Sequence, residues 1–163
     1  MKVFSRSKQV GCEKTGDYTL KTVSAIVDTI HEMEVVIVTD MRNMEIVEAR
    51  SSILRAPYSF CRDISGIAGR LAGLRIDDKI GSNVKSLVGG ADGCYQLADL
   101  CLESIKAIKQ CGYAFIPGGH EELLRNFDAV LRGTCYSHCR SLEEKIKESR
   151  SPNVIVEKTG FSR

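Results

Sequence analysis

Three residues stand apart by type and position: His31, Cys61 and Cys94. Imidazole nitrogen and thiolate sulfur are the donors that zinc and iron favour, and the same groups can serve as base and nucleophile. Cys61 falls in the first turn of a helix predicted after Pro57, and Cys94 in the first turn of one predicted after a run of glycines. A helix start presents unpaired N–H groups and a partial positive charge, which favour thiolate over thiol. His31 begins a predicted strand and, counting by two, shares a face with Met33, Val35 and Ile37. Asp28, three residues earlier, is placed to be a fourth ligand or to orient the imidazole from behind. Its plain alternative is turn chemistry between two strands. Cys61, Cys94 and His31 have plain alternatives too, as buried thiols and a hydrogen-bonded core histidine.

The other cysteines carry less. There are seven in all, an odd number, so a complete set of internal disulfides is impossible. Cys101 lies two helical turns after Cys94 and reads as core packing. Cys111 is near a helix end, and Cys12 is in a polar segment. Cys135 and Cys139 would be neighbours on a helix, with His138 beside them. Structural zinc normally needs a second close pair of ligands, and none lies nearby in sequence, so this group reads as a local feature.

The elements that must position the trio can be read from periodicity. Residues 1–16 are polar and read as irregular. Tyr18–Val27, Met33–Thr39 and Met44–Arg50 read as three strands, rich in β-branched residues and joined by short turns, hence an antiparallel meander. Phe60, Ile64, Ile67, Ala68 and Leu71 recur at helical spacing and predict a helix from about Ser59 to Leu71. Leu74–Gly81 is a connector, and Asn83–Val88 a short helical turn or extended segment. Asp92 is positioned to cap a long helix that ends near Gly112. Further helices follow over about His120–Leu131 and Ser141–Ser149, and Asn153–Glu157 could add a strand. The fold class is therefore α+β, a three-stranded antiparallel sheet followed by packed helices. It forms one domain over 1–163 with its core at about 17–133 and loosely held ends at 1–16 and 150–163.

Composition bounds the function. Of 163 residues, 43% are hydrophobic and 27% charged, which suits a globular chain able to bury a core. A net charge of +2 without a concentrated basic face argues against a nucleic-acid partner. No apolar run approaches the roughly 18 residues of a membrane helix, and the N-terminus lacks a signal-peptide core. The expected setting is the cytoplasm with no membrane partner; a homodimer is compatible with the sequence. The glycine run VGGADGC lacks the Lys-Ser/Thr of a phosphate loop and does not fit a dinucleotide fingerprint. No GxSxG elbow occurs, and the acidic pairs Glu121-Glu122 and Glu143-Glu144 read as solvated helix faces.

The ordered set Asp28-x-x-His31-Glu32-Met33, Ile46, Pro57, Cys61, Leu71-x-Gly73-Leu74 and Gly89-Gly90-x-x-Gly93-Cys94-x-x-Leu97-x-x-Leu100 resembles the bacterial domain of unknown function family 2889. The resemblance spans about residues 18–110. Members typically carry a His two residues after the Gly-Cys, where this chain has Gln96. The family implies no activity. More distantly, the order of strand meander, helix-start cysteine and second helix-start cysteine resembles the iron–sulfur cluster scaffold fold. On that likeness Cys61 and Cys94 match two cluster or zinc ligands and His31 falls near a liganding Asp. Thr29 stands near the place of the scaffold's first cysteine, and Gly93 where a His precedes its last.

The leading expectation is a scaffold-like protein that binds zinc, iron or an iron–sulfur cluster through His31, Cys61 and Cys94, with Asp28 assisting. The alternatives are a thiol enzyme, with Cys94 or Cys61 as nucleophile and His31 as base, and a non-catalytic interaction module.

Overall fold

The computed structural model describes residues 1–115 and 120–150. The chain divides into two compact units, 1–115 and 116–163.

Four strands form one antiparallel sheet in the order of the chain: β1 (Arg6–Gly16), β2 (Thr19–Asp28), β3 (Glu32–Asp40) and β4 (Glu45–Arg55). The α+β class and the meander match the sequence reading, but the sheet has four strands rather than three. The added strand is β1, in the segment expected to be irregular. Its sequence RSKQVGCEKTG has little β propensity. What makes it a strand is the ladder to β2, which runs from Arg6 opposite Asp28 to Gly16 opposite Thr19. As an edge strand it is almost wholly exposed, so polar side chains cost it nothing.

The β2–β3 and β3–β4 connections are short, as expected. β4 carries two bulges against β3, which leave Val47 and Leu54 as extra residues. Both point away from the core and are exposed.

Residues Ser59–Leu71 do not form one helix. They form two 3-10 segments, Ser59–Ile64 and Ile67–Leu71. The cause is competition from β4. Ser51 Oγ donates to the Ser65 carbonyl, the Ile53 N–H donates to Ser65 Oγ at 2.9 Å, and the Ala68 N–H donates to Ser51 Oγ at 3.2 Å. These bonds occupy the groups that an uninterrupted helix would pair internally. The next stretch ties back to the sheet: the Gly73 N–H donates to Ile46 O and the Ile46 N–H to Leu74 O, both at 2.8 Å. Gly73 has φ +82, which a side chain would oppose.

Helix α1 (Ile80–Leu87) agrees with the helical reading of Asn83–Val88 and begins earlier, inside the expected connector, and α2 (Tyr95–Cys111) is the long helix. The α2 stripe is Leu97, Leu100, Cys101, Ser104, Ile105 and Ile108, all buried. It packs on a sheet face that includes Leu20, Ile26, Met33, Val35 and Ile37. The buried Ser104 hydroxyl donates to Ser24 Oγ at 2.8 Å, and the buried Ser24 hydroxyl donates to Leu100 O at 3.1 Å.

In the second unit, α3 (His120–Leu131) and α4 (Leu142–Ser149) agree with the expected helices. Ser141 and Glu144 form a reciprocal capping box at the start of α4. Asp128 is buried and paired with Arg132 at 2.9 Å and Lys145 at 2.5 Å. The expected strand at Asn153–Glu157 lies outside the described residues.

Candidate functional site

Asp28 is the last residue of β2, and the loop Thr29–Ile30–His31 leads into β3. His31 therefore ends a loop rather than beginning the strand. The Asp28 N–H donates to His31 O at 2.8 Å and closes the loop. The Asp28 carboxylate fills its mouth. Oδ1 accepts the backbone N–H of Ile30 at 2.8 Å and of His31 at 2.6 Å. Oδ2 accepts Arg6 Nε at 3.0 Å and Nη2 at 2.7 Å.

His31 Nδ1 lies 3.2 Å from Oδ1 and 3.3 Å from Oδ2. A carboxylate can only accept, so Nδ1 carries a proton, and in the neutral imidazole the lone pair is on Nε2. The Asp28 side chain has no exposed surface. Burial alone would raise its pKa, but the backbone donors His31 and Ile30 and the Arg6 guanidinium outweigh that and hold it well below the usual carboxylate range. Arg55 secures the same loop from β4, with Nη1 2.8 Å from Asp28 O and 3.0 Å from Thr29 O.

Cys61 is in the first 3-10 segment, a few residues past Arg55. Arg55 pairs with Glu32, so this segment begins at the same end of the sheet as the His31 loop. Tyr58 and Phe60 precede Cys61, exposed and stacked 5.1 Å apart with nearly parallel rings.

Cys94 is placed by the glycine turn. Its N–H donates to Val88 O at 2.8 Å, and it occupies the N-cap position of α2 without a side-chain capping bond. Asp92, expected as the cap, stands two residues too early, because the turn runs on through Gly93. A Cβ at Gly93 would lie 2.2 Å from Val88 O and 2.4 Å from Gly89 O, so no side chain fits. The direction of α2 follows from its partners on β1. Asp99, near its start, pairs with Lys8, while Phe115, just past its end, lies under Lys14 with the ammonium 4.9 Å from the ring centroid. The start of α2 therefore lies toward the Asp28 end of the sheet.

All three elements thus reach one pole of the first unit. Within it, Asp28 and His31 are in direct contact. Among the described residues, no three His, Cys, Asp or Glu side chains stand together closely enough to hold a metal ion. Cys61 and Cys94 are both half-buried and reduced. Cys101 is core, its thiol pushed up to about 12 by burial. Cys135 and Cys139 are exposed; Cys139 ends the 3-10 turn Ser137–Cys139, and its N–H donates to Cys135 O at 3.1 Å.

A family model described as Protein of unknown function (DUF2889) matches residues 13–110, more than half of the chain. The chain belongs to the DUF2889 family. The matched segment holds β2–β4, both 3-10 segments, α1 and nearly all of α2, and so the whole His31, Cys61 and Cys94 pole. No curated protein and no solved structure matches the chain. Arg6, which clamps Asp28, lies outside the DUF2889 match and was not singled out from the sequence. Its only signal was a basic residue in a segment read as irregular. Among the described residues, no helix is long and apolar enough to cross a membrane.

Proposed function

We propose that the pole binds one zinc or iron ion, with His31 Nε2, Cys61 Sγ and Cys94 Sγ as its ligands. One observation carries this reading: the Asp28 carboxylate fixes His31 through Nδ1. Metal-binding histidines almost always have their second nitrogen held this way, and the carboxylate raises the basicity of the nitrogen that binds. Asp28 acts through His31 rather than on the ion, because both its oxygens already accept N–H groups. The three donors come from three separate elements and are not gathered in advance, so the ion itself draws the thiols onto the imidazole. Three ligands leave one position open, which suits exchangeable cargo, an iron–sulfur cluster included. The scaffold-like order of the two cysteines supports the same reading.

Titration with Co(II) under anaerobic conditions tests it. The expected result is a thiolate-to-cobalt charge-transfer band that saturates at one ion per chain and is lost in Cys61→Ser and Cys94→Ser. A spectrum identical in parent and variants would sink the proposal. The Asp28–His31 bond also supports a second reading, a thiol enzyme with His31 as base. In that case metal-free protein would show one cysteine that alkylates rapidly near neutral pH and slows in His31→Ala.

A further inference from the structure

Cys12 and Cys111 meet across the first unit, far along the chain and away from the His31 pole. Cys12 lies on the face of β1 that also carries Lys8 and Lys14, and Cys111 is the last residue of α2. Lys8 pairs with Asp99 and Lys14 stacks on Phe115, so β1 and α2 run side by side with the two cysteines between these contacts. Both are half-buried and pack against the same core. Cys12 Sγ lies 3.5 Å from Thr22 Oγ1, and Cys12 is near enough to Cys111 to raise the pKa of its thiol. The pair brackets the family segment, one residue outside each end of 13–110.

We propose that Cys12 and Cys111 form a reversible disulfide that staples the edge strand β1 to the end of α2, with a low-molecular-weight disulfide as the oxidant. The Cys12 thiolate attacks one sulfur of the small disulfide, which forms a mixed disulfide and releases one small thiolate. Cys111 then gives up its proton to solvent and attacks the Cys12 sulfur. This forms the Cys12–Cys111 bond and expels the second small thiolate. Two protein thiols are oxidised by two electrons, and one small disulfide is reduced to two thiols. The order follows from the environment. Burial first, and then the neighbouring Cys12, push the Cys111 thiol up to about 11, so Cys111 is the thiol that resolves rather than attacks.

The staple would close nearly the whole first unit into one loop, the geometry in which a crosslink most restricts the unfolded chain. It would also secure the strand that carries Arg6, the clamp on Asp28.

The test is oxidation of the reduced full-length protein with oxidised glutathione, then alkylation of remaining thiols and peptide mapping by mass spectrometry without reduction. The expected product is one Cys12–Cys111 crosslinked peptide, with a higher melting temperature than the reduced protein and reversal by dithiothreitol. Cys61→Ser and Cys94→Ser should form the same crosslink, which separates this pair from the proposed metal site. Stable glutathione adducts on Cys12 or Cys111, alkylation of both, or crosslinks of either to another cysteine would overturn the proposal.

Discussion

A buried carboxylate costs several kcal/mol unless its lone pairs are answered, and Asp28 is answered by the Ile30 and His31 amides, the His31 ring and the Arg6 guanidinium. Its charge is therefore part of what holds the β2–β3 loop. The folded carboxyl titrates below its unfolded value, so its contribution is fully present above about pH 4 and is lost as the pH falls further. Asp28→Asn keeps the shape and removes the charge. In metal-free protein at neutral pH it should lower stability by about 2–3 kcal/mol, and the gap to the parent should shrink toward about pH 3 as the parent loses its own advantage. Urea midpoints at the two pH values check this; a gap that widens on acidification contradicts it. The spacing Asp28-x-x-His31 was legible because a short polar break between apolar runs marks a turn. Arg6 was not, since its partner is set by strand pairing that polar residues do not advertise.

At the scale of elements, the glycine turn decides where Cys94 stands. Val88 O and Gly89 O occupy the space a Cβ at Gly93 would need. Gly93→Ala must push the turn open and shift the start of α2, at a cost of about 1–3 kcal/mol. It should also weaken metal binding at the pole, because Cys94 is the next residue. Urea unfolding and the cobalt band measure the two effects together; a stable variant with an unchanged band would show that the turn does not position the thiol. Helices α2, α3 and α4 were legible because their apolar or charged periods are long. The Ser59–Leu71 stretch was misleading for the same reason. Its apolar residues do recur at helical spacing, yet Ser51 and Ile53 on β4 capture Ser65 and Ala68 and break it in two. Likewise β1 has no pattern of its own and exists only against β2.

At the scale of the molecule, the family segment is a four-stranded sheet, less most of its edge strand, with α2 laid along one face. That architecture brings the β2–β3 loop, the end of β4 and the start of α2 to one end of the sheet. The three residues could be picked out singly because residue type and helix-start position are local properties. How closely they approach one another depends on loop paths that a single sequence does not specify. The order of elements made the family recognisable, whereas four strands in place of three came from pairing across the chain. The proposed site at this end of the first unit takes a metal ion on His31, oriented by Asp28, and on the two thiols. Zinc titration calorimetry on anaerobically prepared, metal-free protein tests it most directly. The expected result is one ion per chain for the parent, affinity weakened about 10–100-fold in Asp28→Asn, and binding abolished in His31→Ala. Equal zinc affinity in all three proteins, or none in the parent, would contradict it.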